Sequence, residues 1–76
     1  MKGDTVSAEK YYKLALEKYP DDVNTLNNYA IFLERIKKDL IQAESFYQKA
    51  LSIDPNHQNA ISNYKAFKND ITKNPM

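Results

Sequence analysis

The residues of this chain that could do chemistry are few, and His57 is its single histidine. The chain has no cysteine, which excludes disulfides and thiolate metal sites, and one histidine makes a poor metal site. His57 follows Pro55-Asn56 at the expected start of a helix, so we expect a solvent-exposed turn residue with no nucleophile beside it. The carboxylates lie mostly at helix caps or on solvated helix faces, without an evident acid/base pair. We therefore predict a protein that is not an enzyme and that uses no metal and no cofactor.

Composition and charge argue against several further classes of function. Eleven Lys and Arg balance 10 Asp and Glu, for a net charge of +1, which argues against a dedicated nucleic-acid surface because such a surface needs clustered basic residues. The longest apolar stretch, 29–33, is far shorter than the roughly 20 residues of a membrane span. The N-terminus opens no apolar signal region. Together with the lack of cysteine, these features favour a cytoplasmic protein with no membrane contact.

The elements that position these residues form an internal repeat, because the chain matches itself when shifted by 35 residues. The identical pairs are Asp4/Asp39, Ala8/Ala43, Glu9/Glu44, Tyr12/Tyr47, Ala15/Ala50, Leu16/Leu51, Pro20/Pro55, Asn24/Asn59, Asn28/Asn63, Tyr29/Tyr64 and Phe32/Phe67. A period of this length indicates a solenoid of stacked helix pairs.

Each repeat contains two segments with helical periodicity. Apolar residues recur every three or four positions within 4–19, 24–36, 39–53 and 57–71. Asp4 is expected to be the N-cap of the first helix, and Asp39 with Gln42 resembles a capping box. The repeated alanines allow helices to approach closely, and the repeated tyrosines are expected to fill the core with their hydroxyls on polar partners.

These residues resemble the tetratricopeptide repeat (TPR) family. The family's pattern of a small residue, an aromatic residue, an alanine and a proline occurs twice here: Ala8, Tyr12, Ala15, Pro20, and then Ala43, Tyr47, Ala50, Pro55. Its first-helix pattern matches Leu26, Tyr29 and Ala30. The resemblance implies an all-α fold, a right-handed superhelical array (α solenoid) of antiparallel helix hairpins with four helices. Over a single domain, 1–76, it implies the second helix of a partial repeat at 4–20, one full repeat at 23–55, and a terminal first-type or capping helix at 57–72.

The chain departs from the family pattern at two points within this frame. The period is one residue longer than usual, with the extra residue near Lys37-Lys38, where the family has glycine and an acidic residue, as at Gly3-Asp4. In the last helix, Lys65 replaces the small residue expected beside Tyr64. A lysine there suits a capping helix whose outer side faces water.

The resemblance also implies a binding groove, because the first helices of successive TPR repeats line a concave surface that takes a peptide or a helix of a partner protein. Carried over by position, the groove residues are Asn24, Asn27, Asn28, Ile31, Glu34, Arg35, Asn59, Ser62, Asn63 and Ala66. Asparagine offers both donors and an acceptor to a peptide backbone. Solvated polar residues, or asparagines that tie adjacent helices together, explain the same pattern. The lysine that chaperone-binding members need at Asn27 or Ser62 is missing, so we predict no chaperone-tail binding.

One other function remains open, the binding of RNA. An RNA-binding helical-hairpin module, pentatricopeptide-like or half-TPR-like, shares the repeat length but usually has other signature residues. The tyrosine-rich stripe resembles a base-stacking surface, yet its spacing is that of a repeat core. A protein interaction module or scaffold is the interpretation that we favour.

Self-association is the last expectation. Part of the first helix, around Ala8, Tyr11, Tyr12 and Ala15, has no preceding partner helix in the sequence pattern, so neighbouring repeats or a second copy would cover it. The segment 33–40 has no glycine or proline. A long fused helix there would open the hairpin and allow a domain-swapped homodimer, with the closed hairpin as the default.

Overall fold

The computed structural model describes residues 2–73, and the side chains of residues 5–71. Within them the chain forms four α-helices: α1 (Lys2–Lys18), α2 (Val23–Phe32), α3 (Leu40–Ile53) and α4 (Gln58–Lys73). The predicted all-α fold is confirmed. No described helix combines the length and hydrophobicity that a membrane crossing requires.

The sequence predicted the N-cap residues of two helices, and the structure agrees with one of these predictions. The structure begins α1 at Lys2, so Asp4 lies inside the first turn, and its prediction as the N-cap was wrong. Asp39 is the N-cap of α3, since its Oδ1 accepts a hydrogen bond from the backbone N–H of Gln42 at 3.2 Å. The backbone N–H of Asp39 donates instead to the carbonyl of Leu33, so the reciprocal bond of a full capping box is not formed.

The extra residue of the repeat is absorbed by a π-helical turn, Leu33–Lys37, directly after α2. A π turn holds one residue more per hydrogen-bonded ring than an α turn. Lys38 then takes a left-handed conformation (φ 58°, ψ 30°), and the backbone N–H groups of Lys38 and Asp39 both donate to Leu33 O. This turn closes α2 onto α3 as an antiparallel hairpin, so the fused helix is not the conformation of this structure. Domain swapping stays a hypothesis.

Replacing Lys38 by glycine is expected to stabilise the chain. Lys38 occupies the repeat position of Gly3 and bears a Cβ in the left-handed region, which costs roughly 1–2 kcal/mol. Part of that gain is offset by the greater freedom of glycine in the unfolded chain, leaving about 1 kcal/mol. The melting temperature of Lys38→Gly, followed by circular dichroism, should rise by about 4–8 °C. Lys49→Gly, inside α3, should lower the melting temperature. A melting temperature of Lys38→Gly below that of the wild type would contradict the backbone strain at Lys38.

The core is a pair of equivalent aromatic clusters, one from each repeat. Tyr12 stacks on Tyr29 with ring centroids 5.5 Å apart, and their repeat equivalents, Tyr47 and Tyr64, stack at 5.7 Å. Phe32 completes the first cluster at 5.6 Å from Tyr12. The second cluster is completed by Phe67, 5.4 Å from Tyr47. The tyrosine stripe is therefore core, as its spacing predicts, and these clusters hold the helices side by side.

Candidate binding surface on helices α2 and α4

Helices α2 and α4, which are the first helices of successive repeats, are joined by polar side chains at one surface of the hairpin array. Asn63 Nδ2 donates to Asn27 Oδ1 at 3.3 Å. The second pair joins His57 Nε2 and Asn24 Oδ1 at 2.8 Å. Since Asn27 is only 5% exposed, its amide needs such a partner. These bonds fix the spacing between the two helices.

His57 has a structural role that the sequence did not predict. Its Nδ1 accepts a hydrogen bond from the backbone N–H of Ala60 at 3.1 Å, which caps the N-terminus of α4. Because Nδ1 accepts this bond, it carries no proton. In a neutral imidazole the proton is then on Nε2, which donates to Asn24 Oδ1. His57 lies in the turn before α4, as predicted, but the expected solvent exposure was wrong: the residue is partly buried, and its imidazole both caps α4 and links it to α2.

The ten predicted groove residues divide by exposure. Those exposed are Asn24, Asn28, Arg35, Asn59, Ser62 and Ala66; those partly buried are Ile31, Glu34 and Asn63; Asn27 is buried. Glu34 accepts a hydrogen bond from the hydroxyl of Tyr47 at 2.8 Å, so this carboxylate is directed toward α3. Four of the ten thus have partners within the fold, namely Asn24, Asn27, Glu34 and Asn63. The exposed residues for which no such partner is described are Asn28, Arg35, Asn59, Ser62 and Ala66.

A shallow depression lies at the C-terminal end of α2. It lies on the side of α2 that faces α1: its lining combines the predicted residues Asn28, Ile31 and Arg35 with Phe32, Ile36 and Tyr12 of α1, and includes no residue of α4. Ile36 is 54% exposed and was not among the predicted groove residues; its apolar character next to the expected helix end was the only signal for it. Arg35 makes no ion pair with another described side chain, so its guanidinium is available to an anionic group.

Tyrosine–glutamate hydrogen bonds hold α2 against α1, and α4 against α3. Tyr29 Oη donates to Glu9 Oε2 at 3.0 Å, and the repeat-equivalent pair, Tyr64 and Glu44, bonds at 2.9 Å. Lys37 Nζ lies 2.9 Å from Glu9 Oε1. This contact with Lys37 is the main reason that the pKa of Glu9 is lowered, against the opposing effect of burial. Burial first, and then the Glu9 carboxylate, raises the pKa of Tyr29 to about 12.

The raised pKa of Tyr29 predicts a loss of stability in alkali. The unfolded chain loses this tyrosine proton near pH 10, while the folded chain keeps it to about 12. The free energy of unfolding is therefore unaffected by this group below pH about 10 and falls as the pH rises from there toward about 12. Urea unfolding at a series of alkaline pH values should show a shallower decline in Tyr29→Phe. The control is Tyr19→Phe, at an exposed tyrosine. An equal alkaline decline of the free energy of unfolding in Tyr29→Phe and Tyr19→Phe would contradict the prediction.

Comparison with known proteins supports the repeat assignment. Residues 11–45 match the sequence profile of the tetratricopeptide repeat family. The matched segment contains the C-terminal part of α1, all of α2, the π-helical turn and the start of α3. Searches of curated proteins and of solved structures give no match. Members of the matched family are in general non-catalytic modules for protein–protein interaction.

Proposed function

Because the chain carries a tetratricopeptide repeat at residues 11–45, we propose that it is a protein interaction module or scaffold whose α2–α4 surface binds a peptide or helix of a partner protein. The observation that carries this proposal is the pairing of α2 with α4. The Asn24–His57 and Asn27–Asn63 hydrogen bonds join the two helices, so their outward residues form one surface.

The chemistry of this surface suits a peptide that is neither strongly basic nor strongly acidic. The exposed amides of Asn28 and Asn59 can each donate to and accept from a peptide backbone. Ile31 and Ile36 offer apolar contact at the depression beside this surface, between α2 and α1, where an apolar side chain of the ligand can be buried. Arg35 supplies a planar cation that binds a carboxylate with two hydrogen bonds. We therefore expect ligands with one acidic residue next to an apolar residue.

A peptide library displayed on phage and selected against the full chain tests this proposal. Selected peptides should bind Arg35→Glu at least about tenfold more weakly, since the substitution replaces attraction with repulsion. Lys49→Glu is the matched control, because it makes the same change of charge at an exposed position of α3. Equal losses in both variants, or no selected peptide, would refute a site on α2 and α4.

The RNA-binding alternative has a distinct outcome in the same assay. Binding of single-stranded RNA through phosphates would weaken steeply as salt is raised, because counterions are released. Peptide binding that includes a single ion pair, at Arg35, should weaken much less over the same range of salt. A salt-sensitive affinity for RNA and none for peptides would favour the alternative.

A further inference from the structure

The turn between α2 and α3 forms an exposed end of the array that is both apolar and cationic. Ile36, Leu40 and Ile41 are 54%, 44% and 86% exposed. Residues 35–41, which we call the 35–41 end, also carry three cations against one carboxylate, that of Asp39. Large apolar side chains that are exposed together usually mark an interface.

Lys38 is the cation of this end that neither the fold nor the α2–α4 surface uses. Lys37 is bonded to Glu9 at 2.9 Å, and Arg35 belongs to the surface proposed above for a peptide. Lys38 is exposed, and its ammonium group makes no hydrogen bond or ion pair with another described side chain. It is therefore available to an anionic group of another molecule.

The opposite end of the array, which we call the acidic end, has the opposite charge. It consists of the loops 19–22 and 53–57, which precede α2 and α4 and lie side by side because a hydrogen bond joins the second loop to α2. The two loops contain no lysine or arginine and three aspartates, namely Asp21, Asp22 and Asp54. The neighbouring cation in sequence, Lys18, lies 5.8 Å from the ring centre of Tyr19 and leaves a net negative charge. Tyr19 and Ile53 are 60% and 40% exposed, so this end is partly apolar as well.

The two ends complement each other in charge and cannot meet within one molecule. Residues 23–37, which form α2 and the π-helical turn, separate them by about 20 Å, because a helix rises about 1.5 Å per residue. Outside α1, all the exposed large apolar side chains of residues 5–71 lie at one of these ends. A contact between the two ends is therefore possible only between two molecules.

We propose that the 35–41 end of one copy binds the acidic end of a second copy, head to tail. Lys38 pairs with Asp21, which is exposed and makes no ion pair with another described side chain. Ile41 packs against Tyr19 in the shallow depression that the first acidic loop forms. The contact uses a different surface on each copy, so each added copy leaves one end of each kind free and the assembly grows beyond a dimer.

The size of the ends predicts that this association is weak. The array measures 32 × 30 × 16 Å, so an end of 30 Å by 16 Å offers roughly 500 Å². Stable complexes bury about 800 Å² per partner, and smaller contacts are transient. We therefore expect self-association at chain concentrations of roughly 100 µM and above. Higher salt should reduce it, because an exposed ion pair contributes to the contact.

Sedimentation velocity and light scattering of the full chain, from about 10 µM to about 1 mM, test the proposal. The weight-average mass of the wild type should rise with concentration past that of a dimer. Ile41→Asp blocks the 35–41 end, and Tyr19→Ala with Asp21→Ala blocks the acidic end, so each variant alone should stay monomeric. Mixed in equal amounts, the two variants should form a dimer and nothing larger, because the mixture holds one intact end of each kind. Tyr11→Asp, at an exposed apolar residue in the middle of α1, is the matched control and should associate as the wild type does.

Three results would overturn the proposal. The first is a wild type that stays monomeric at about 1 mM, since the 35–41 end would then belong to a different protein. The second is a mass that stops at that of a dimer and is unchanged by Ile41→Asp, which would indicate domain swapping. The third is an equal loss of association in Tyr11→Asp, which would place the contact on α1. The variants keep Arg35 and the outward residues of α2 and α4, so peptide binding there should be unchanged and tests the other proposal separately.

Discussion

Replacing Tyr47 by alanine is expected to leave most of the chain unfolded at room temperature. Tyr47 is 1% exposed, stacks on Tyr64, packs on Phe67 and donates a hydrogen bond to Glu34. Removing a large buried aromatic side chain costs about 3–5 kcal/mol. A domain of this size has a net stability of only about 3–5 kcal/mol, so the loss is comparable with the total.

The measurement is urea unfolding followed by helical circular dichroism. The matched control is Tyr12→Ala, which removes the same side chain from the equivalent position of the other repeat. Tyr12 is only partly buried, so the control should lose about 1–2 kcal/mol and remain folded. Equal losses in the two variants would show that the two aromatic clusters do not differ in burial as described.

Replacing Ala30 by lysine should lower the free energy of unfolding about as much as Tyr47→Ala does, for a different reason. Ala30 is completely buried in the core cluster, where a long side chain has no room and an ammonium group has no partner. Overpacking costs about 1–3 kcal/mol, and the desolvated charge adds to it, so we expect a total above about 3 kcal/mol. The variant should show no cooperative unfolding transition by circular dichroism or calorimetry.

Lys65→Ala provides the reciprocal control, because Lys65 is the repeat equivalent of Ala30. Lys65 is exposed on α4, so its removal should change the free energy of unfolding by no more than about 0.5 kcal/mol. The pair thus tests whether α4 is a terminal helix with a solvated outer side. A destabilisation by Lys65→Ala as large as that by Ala30→Lys would contradict it.

The sequence predicted the helices and their core well because both follow from periodic patterns. The shift of 35 residues related Tyr12 to Tyr47 and Tyr29 to Tyr64, and the structure places both pairs in equivalent stacks. Burial of repeated apolar residues depends on helix periodicity, which a single sequence displays directly.

Local backbone and side-chain geometry was harder to predict. The extra residue was located near Lys37-Lys38, but its accommodation by a π turn and a left-handed lysine depends on how α3 packs against α2. A residue's type does not reveal which of its atoms will find a partner across a helix pair. For this reason the burial of Asn27 and the capping role of His57 were not foreseen.

The central claim is that the outward surface of α2 and α4 binds a protein ligand. Its most direct test is nuclear magnetic resonance of the isotope-labelled full chain during titration with a peptide selected from the displayed library. We predict that the largest shift changes fall on Asn28, Ile31, Arg35 and Ser62, and that Arg35→Glu abolishes them. Shift changes confined to the outer sides of α1 and α3, with the α2–α4 surface unaffected, would contradict the claim.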